Sequence, residues 1–264
     1  MSEADPPVID PSPIDASRAP LMDHLIELRR RLLWSLAAVA AGFGLCLYFA
    51  KPIFGFLVQP LLRAGQGKII YTDIFEAFFV EVKVAFFAAI MLAFPVIATQ
   101  MWRFVAPGLY AKEQRAFLPF LLATPVLFGA GAALAYYFAM PVALQFLLSF
   151  QGNVGGVEQE ALPAVGNYLS FVTRFLFGFG VAFLLPVLLM LLQRAGIVTR
   201  AQLIAGRRYA IVAAFAISAV LTPPDVVSQL MLAIPMILLY EGSLVAIWFT
   251  ERRRERRPAE KIAG

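Results

Sequence analysis

Cysteine and histidine are almost absent from this chain of 264 residues, which has one of each, Cys46 and His24. A single cysteine excludes an intramolecular disulfide and a cysteine-built metal centre. One histidine cannot supply a zinc ligand set. Charge is scarce as well, at 15% of residues, where a soluble domain carries about a quarter. No Gly-x-x-x-x-Gly-Lys loop, His-Glu-x-x-His helix or Gly-x-Ser-x-Gly turn occurs, so neither a P-loop nucleotide site nor a motif-bearing hydrolase is indicated. These gaps point away from an enzyme, from ATP hydrolysis and from a bound cofactor or metal.

Apolar sequence takes the place of what is missing. Hydrophobic residues make up 61% of the chain and mean hydropathy is +0.77, which predicts an all-α integral membrane protein. Six apolar stretches fall near 32–51, 78–102, 117–140, 175–193, 209–222 and 226–249. A hydrocarbon core about 30 Å thick needs roughly 20 helical residues, and four of the six stretches reach or approach that length.

Positive charge is unevenly shared among the links. It collects before the first stretch (Arg18, Arg29, Arg30, Arg31), after the second (Arg103, Lys112, Arg115), after the fourth (Arg194, Arg200, Arg207, Arg208) and in the tail (Arg252 to Lys261). Only Lys51, Arg63, Lys68, Lys83 and Arg174 lie elsewhere, five of the 22 basic residues. Basic flanks stay cytoplasmic, so six transmembrane helices with both termini inside the cell are expected. The net charge of +5 is accounted for by these flanks and implies no nucleic-acid partner.

Residues 1–20 are rich in Pro and Asp, lack an apolar signal-peptide core and read as a disordered cytoplasmic lead-in. Residues 21–250 form the membrane domain, and 251–264 a basic cytoplasmic tail. Leu21, Leu25, Leu28 and Leu32 recur at helical spacing, with His24, Glu27 and Arg31 on another face. That pattern predicts a short amphipathic helix on the cytoplasmic surface. The link after the first stretch holds Ile53, Phe56, Leu57 and Leu61, and should fold back as an outer cap. Gly178, Gly180 and the run 129–133 read as close helix-packing surfaces. The fifth and sixth helices are expected to be short: 209–222 offers about 21 Å of helix, Thr222-Pro223-Pro224-Asp225 forces a reversal, and Glu241 of the sixth lies roughly ten residues, about 15 Å, from the charged tail.

A sparse set of acids remains. Glu27 and Glu113 each lie just outside a span on the cytoplasmic side, where two carboxylates suit a ligand with two guanidiniums. Local ion pairing, Glu27 with Arg30 or Arg31 and Glu113 with Lys112 or Arg115, is the plainer alternative. Glu241 is a candidate because an intramembrane carboxyl is costly; otherwise it is a protonated acid bonded to a serine or threonine of the fifth span. Asp225 fits an N-cap of the sixth helix. Thr222 and Gln229 flank that turn, where they can meet a partner's polar residue or satisfy each other.

The segments 24–29 (HLIELR), 104–110 (FVAPGLY) with Glu113, and 221–225 (LTPPD) with Ser228-Gln229 resemble the TatC family, the multispanning subunit of the twin-arginine protein translocase. The resemblance covers about residues 21–250. It implies a cup-shaped six-helix protein of the bacterial cytoplasmic membrane that binds Arg-Arg signal peptides and helps export folded proteins using the proton-motive force. By motif match it assigns Glu27 and Glu113 to the signal-peptide site, with Arg29, Phe104 and Tyr110 in support. It places Thr222, Gln229, Asp225 and Glu241 near a partner-docking surface, and Pro60 in the outer cap. TatA-like and TatB-like single-span proteins, further TatC copies and membrane lipids are the implied partners. One departure is Leu184 in Phe183-Leu184-Leu185-Pro186, where many members carry a glutamate. A proton- or ion-coupled small-solute transporter using Glu241 is the competing function, disfavoured because no inverted repeat is visible.

Overall fold

Residues 13–109, 114–222 and 225–262 are described by the computed structural model of the protein. In chain order the helices are α1 (Pro13–Tyr48), α2 (Ala50–Arg63), α3 (Glu76–Leu109), α4 (Gln114–Leu134), α5 (Met140–Leu148), α6 (Val165–Ala182), α7 (Leu185–Arg194), α8 (Arg200–Ala205), α9 (Arg207–Leu221) and α10 (Val226–Ile262). A π-helical turn, Ala135–Ala139, joins α4 to α5. The strands β1 (Gly152–Val154) and β2 (Val157–Gln159) form a small antiparallel hairpin. Gly155 and Gly156 close it at positive φ, the backbone a two-residue hairpin loop needs.

Five helical stretches are long and apolar enough to cross a membrane: His24–Tyr48, Glu76–Phe104, Phe120–Leu148, Val165–Arg194 and Val226–Arg252. The helix α9 has 15 residues, about 22 Å, and falls short of that length, as its sequence predicts.

Three expectations need correction. No separate amphipathic helix precedes the first span, because α1 runs unbroken from Pro13. Between residues 21 and 41 there is no Gly or Pro to break it. The sixth helix is not short: α10 has 37 residues. It passes Glu241 and runs on into the tail because Glu and Arg are themselves good helix formers. The fourth span is not one helix, since the chain breaks at Phe183-Leu184 before Pro186 restarts it at the head of α7. A proline is well placed in a first turn and badly placed in a helix interior.

The link after the first span folds into a packed helix, α2, with an apolar buried face, as the pattern of 53–61 suggests. Ala50, Leu57, Pro60 and Leu61 are the buried face of α2. Pro60 has no N–H, so the Phe56 carbonyl four residues earlier loses its helical donor. The Tyr136 hydroxyl donates to it at 2.7 Å, and the two rings stack at 4.3 Å. Tyr168 donates likewise to the Leu57 carbonyl at 2.7 Å. The π turn that carries Tyr136 lies just before Pro141, and a wider turn is one way a helix accommodates a missing donor.

Below the cap, the main core gathers Phe175, Phe179, Leu169, Met140 and Leu232. The small-residue surfaces act as read from the sequence. A Cβ on Gly131 of α4 would lie 2.5 Å from the Phe179 carbonyl oxygen, and one on Gly180 would lie 2.6 Å from the Phe128 ring. Helices α4 and α6 therefore approach at backbone distance.

Candidate functional site

Helical spacing puts His24, Glu27 and Arg31 on one face of α1, and Gln100 and Phe104 on one face of α3. The structure brings these two faces together. The His24 ring stacks on Phe104 with centroids 4.4 Å apart and planes inclined by 24°. About two turns further on, Arg31 reaches both ways. Its Nη2 donates to Glu27 Oε1 at 3.0 Å, and its Nη1 to Gln100 Oε1 at 3.3 Å. The Glu27 side chain is 34% exposed and remains open to a ligand.

The local ion pair weighed for Glu27 thus exists, with Arg31 as its partner. Arg29 is not brought to this face. Two residues on from Glu27 it points about 200° round the helix, where it lines a shallow hollow with Ile26, Arg30, Leu33 and Trp34. Glu113 and Tyr110 lie outside the described residues. Helix α3 ends at Leu109 and α4 starts at Gln114, so the segment holding both follows Phe104 closely in the chain.

The turn between α9 and α10 also collects polar groups. Asp225 Oδ1 accepts from the Ser228 N–H at 2.7 Å, the N-cap its position predicts. Thr222 and Gln229 do not satisfy each other. The Thr222 hydroxyl donates to the Ser218 carbonyl at 2.8 Å, and Gln229 Nε2 to the Phe215 carbonyl at 3.2 Å. Both therefore tie back to α9. Asp225 Oδ2 and the Ser228 hydroxyl are buried with no hydrogen-bond partner among the described residues.

Glu241 is bonded to neither a serine nor a threonine. Its Oε2 accepts from Arg207 Nη2 at 2.8 Å, and both side chains are about half exposed. Because α9 is so short, its basic first residue comes level with the middle of α10. The neighbouring Tyr240 hydroxyl donates to the Leu203 carbonyl at 2.6 Å, fixing α8 against the same stretch. Leu184 caps the start of α7 and lines an apolar cavity of about 370 Å³ with Trp102, Thr124, Leu221 and Met236. No group of three or more His, Cys, Asp or Glu among the described residues could hold a metal ion.

Sequence reading passed over Arg31 and Gln100 as a connecting pair. A glutamine one turn before Phe104, inside an apolar run, was the available signal.

Comparison with known proteins places these features in a family frame. Residues 23–235 match the family described as Sec-independent protein translocase protein (TatC). The chain is 50% identical over 249 residues to the Sec-independent protein translocase protein TatC of Magnetococcus marinus, covering 94% of this chain and 89% of the relative. It is 42% identical to the protein of that name from Aquifex aeolicus, covering 85% and 93%. Its fold is similar to crystal structures of the twin arginine translocase receptor TatC. One superposes with a TM-score of 0.72 at 42% identity, over 84% of this chain and 96% of the other. A second, determined in DDM, gives 0.74 at 41% identity, over 84% and 98%.

Proposed function

The chain belongs to the TatC family, and we propose from that membership that it is the receptor subunit of a twin-arginine translocase in a bacterial inner membrane. It binds Arg-Arg signal peptides and helps export folded proteins at the expense of the proton-motive force. Five membrane-crossing helices plus the short α9 make six spans. The gathering of basic residues at alternate links supports a cytoplasmic location for both termini.

The carrying observation at the site is the one-third-exposed Glu27 carboxylate, held on the α1–α3 face beside the stacked His24 and Phe104. One guanidinium already sits on it, so the site accepts the chemistry of an arginine ligand. Glu113, with Tyr110, supplies the second carboxylate. A pair of acids then grips a pair of arginines through charge-assisted, forked hydrogen bonds, and Arg29 acts from the neighbouring face of α1.

The turn at Thr222–Gln229 docks the single-span TatA-like and TatB-like partners. Its support is the Asp225 Oδ2 and Ser228 hydroxyl, without partners among the described residues, beside a helix shorter than an ordinary bilayer core. A coupled transporter needs Glu241 as a free acid, and the Arg207 ion pair gives that alternative no support.

The test is photocrosslinking from positions 27 and 113 to an Arg-Arg signal peptide, with a Lys-Lys peptide as control. Glu27→Ala or Glu113→Ala should each weaken capture by about 1.5–3 kcal/mol, the value of a hydrogen bond to a charged group. Both variants should keep their helix content. Unchanged capture by the double variant would remove the two carboxylates from the site.

A further inference from the structure

Two of the five basic residues outside the cytoplasmic clusters, Lys83 and Arg174, come together in the fold. The Glu76 Oε1 atom accepts from the Gly166 N–H at 2.6 Å, which sets the starts of α3 and α6 side by side. From that shared level Lys83 is seven residues along α3 and Arg174 eight along α6, so both lie about 10–12 Å deeper. They line one groove of about 390 Å³ between the helices, with Phe86, Phe87, Ile90 and Phe177.

Cations at such a depth are costly unless paired or snorkelling to a polar layer. Among the described residues no carboxylate pairs with either; the described ion pairs are Arg31–Glu27 and Arg207–Glu241. Glu81, the acid nearest Lys83 in sequence, is two residues away and so about 200° round α3. The Ser170 and Thr173 hydroxyls, on the same groove, donate to carbonyls of their own helix. The groove is therefore apolar along its length and doubly cationic, with no anion of its own.

We infer that the α3–α6 groove is a binding site for one phospholipid of the leaflet at which α3 and α6 begin. Lys83 and Arg174 take the phosphate, and an acyl chain lies along Phe86, Phe87, Ile90 and Phe177. The headgroup is anionic overall, as in phosphatidylglycerol, because an ammonium would face two like charges. This site shares no residue with the signal-peptide face and stands or falls apart from it.

The experiment is native mass spectrometry of the full-length chain, released from detergent with dioleoyl phosphatidylglycerol, with dioleoylglycerol, or with inorganic phosphate added. Phosphatidylglycerol should be retained, the phosphate-free lipid should not, and inorganic phosphate should fail to displace it. At about 1 kcal/mol for each basic residue near an anionic headgroup, Lys83→Gln with Arg174→Gln should weaken retention roughly thirtyfold. Lys83→Arg with Arg174→Lys, which keeps both charges, should hold the lipid. Equal retention of dioleoylglycerol, displacement by phosphate alone, or full retention by the double glutamine variant would each overturn the site. If the glutamine variant does not fold, the wild-type preference between the two lipids decides.

Discussion

Arg31 lies 3.0 Å from Glu27 and occupies, in the free protein, the carboxylate proposed to receive a signal-peptide arginine. An i, i+4 pair of this exposure is worth about 1 kcal/mol or less, whereas a forked arginine ligand makes two charge-assisted bonds. The ligand therefore displaces Arg31 toward Gln100 without large cost. Arg31→Gln should tighten Arg-Arg peptide binding, by about fivefold at most. Titration calorimetry against the wild type reads this directly, and weaker binding would show that Arg31 positions Glu27 and does not compete for it.

The close approach of α4 and α6 separates two glycines that look alike in sequence. Gly131→Ala drives a methyl to 2.5 Å from a backbone carbonyl, and overpacking of this kind costs about 1–3 kcal/mol. Gly129 has nothing within 4 Å of its missing Cβ, so Gly129→Ala should be neutral or stabilising by up to about 1 kcal/mol through helix propensity. Thermal unfolding in one detergent distinguishes the two.

Glu241 and Arg207 are half exposed, so their pairing should contribute about 1 kcal/mol or less to stability. A double-mutant cycle on Glu241→Gln and Arg207→Gln measures the coupling. The swap of Arg207→Glu with Glu241→Arg should restore export if the pair is structural. Failure of the swap, with the fold retained, would assign Glu241 a role of its own.

The length of α9 has a separate test. Its 15 residues leave it short of a bilayer core, and the surrounding membrane must thin or polar groups must enter. Adding one helical turn within 209–221 should impair export while signal-peptide capture stays unchanged. Export that survives the insertion would make the short helix incidental.

The Phe56 carbonyl freed by Pro60 is held by the Tyr136 hydroxyl. Tyr136→Phe leaves that carbonyl without a donor and should cost about 1–3 kcal/mol. The loss should appear in thermal unfolding, with Tyr137→Phe as an exposed neighbouring control.

Much of this organisation is legible in the chain, because a bilayer punishes misplaced polarity. Spans, the outer cap of α2, the small-residue surfaces and the reversal before Asp225 all follow from hydropathy, glycine and proline. What escapes are decisions made between distant segments. Nothing local to Glu76 signals that its carboxylate meets Gly166, ninety residues on. The length of α10 differs from expectation because the charged tail reads as its limit, whereas the helix continues through Arg252 to Ile262. Leu184 drew notice as a family departure, yet its place at the break between α6 and α7 depends on Pro186 reseating the helix. Of the site, the faces of α1 and α3 could be drawn separately from their periodicities. That Arg31 would bridge them required the contact itself.

Only 6% of the most apolar window of α1 is enclosed by the rest of the chain, against 28–44% in the other four long stretches. The helix bearing Glu27 thus leans on α3 and is otherwise little covered by the chain. A beam supported along one side tilts at little expense, because few contacts have to break. Capture of a peptide at the proposed Glu27 site can therefore be relayed as a rocking of the whole rod, reaching α2 while the Phe175–Phe179 interior stays as it is.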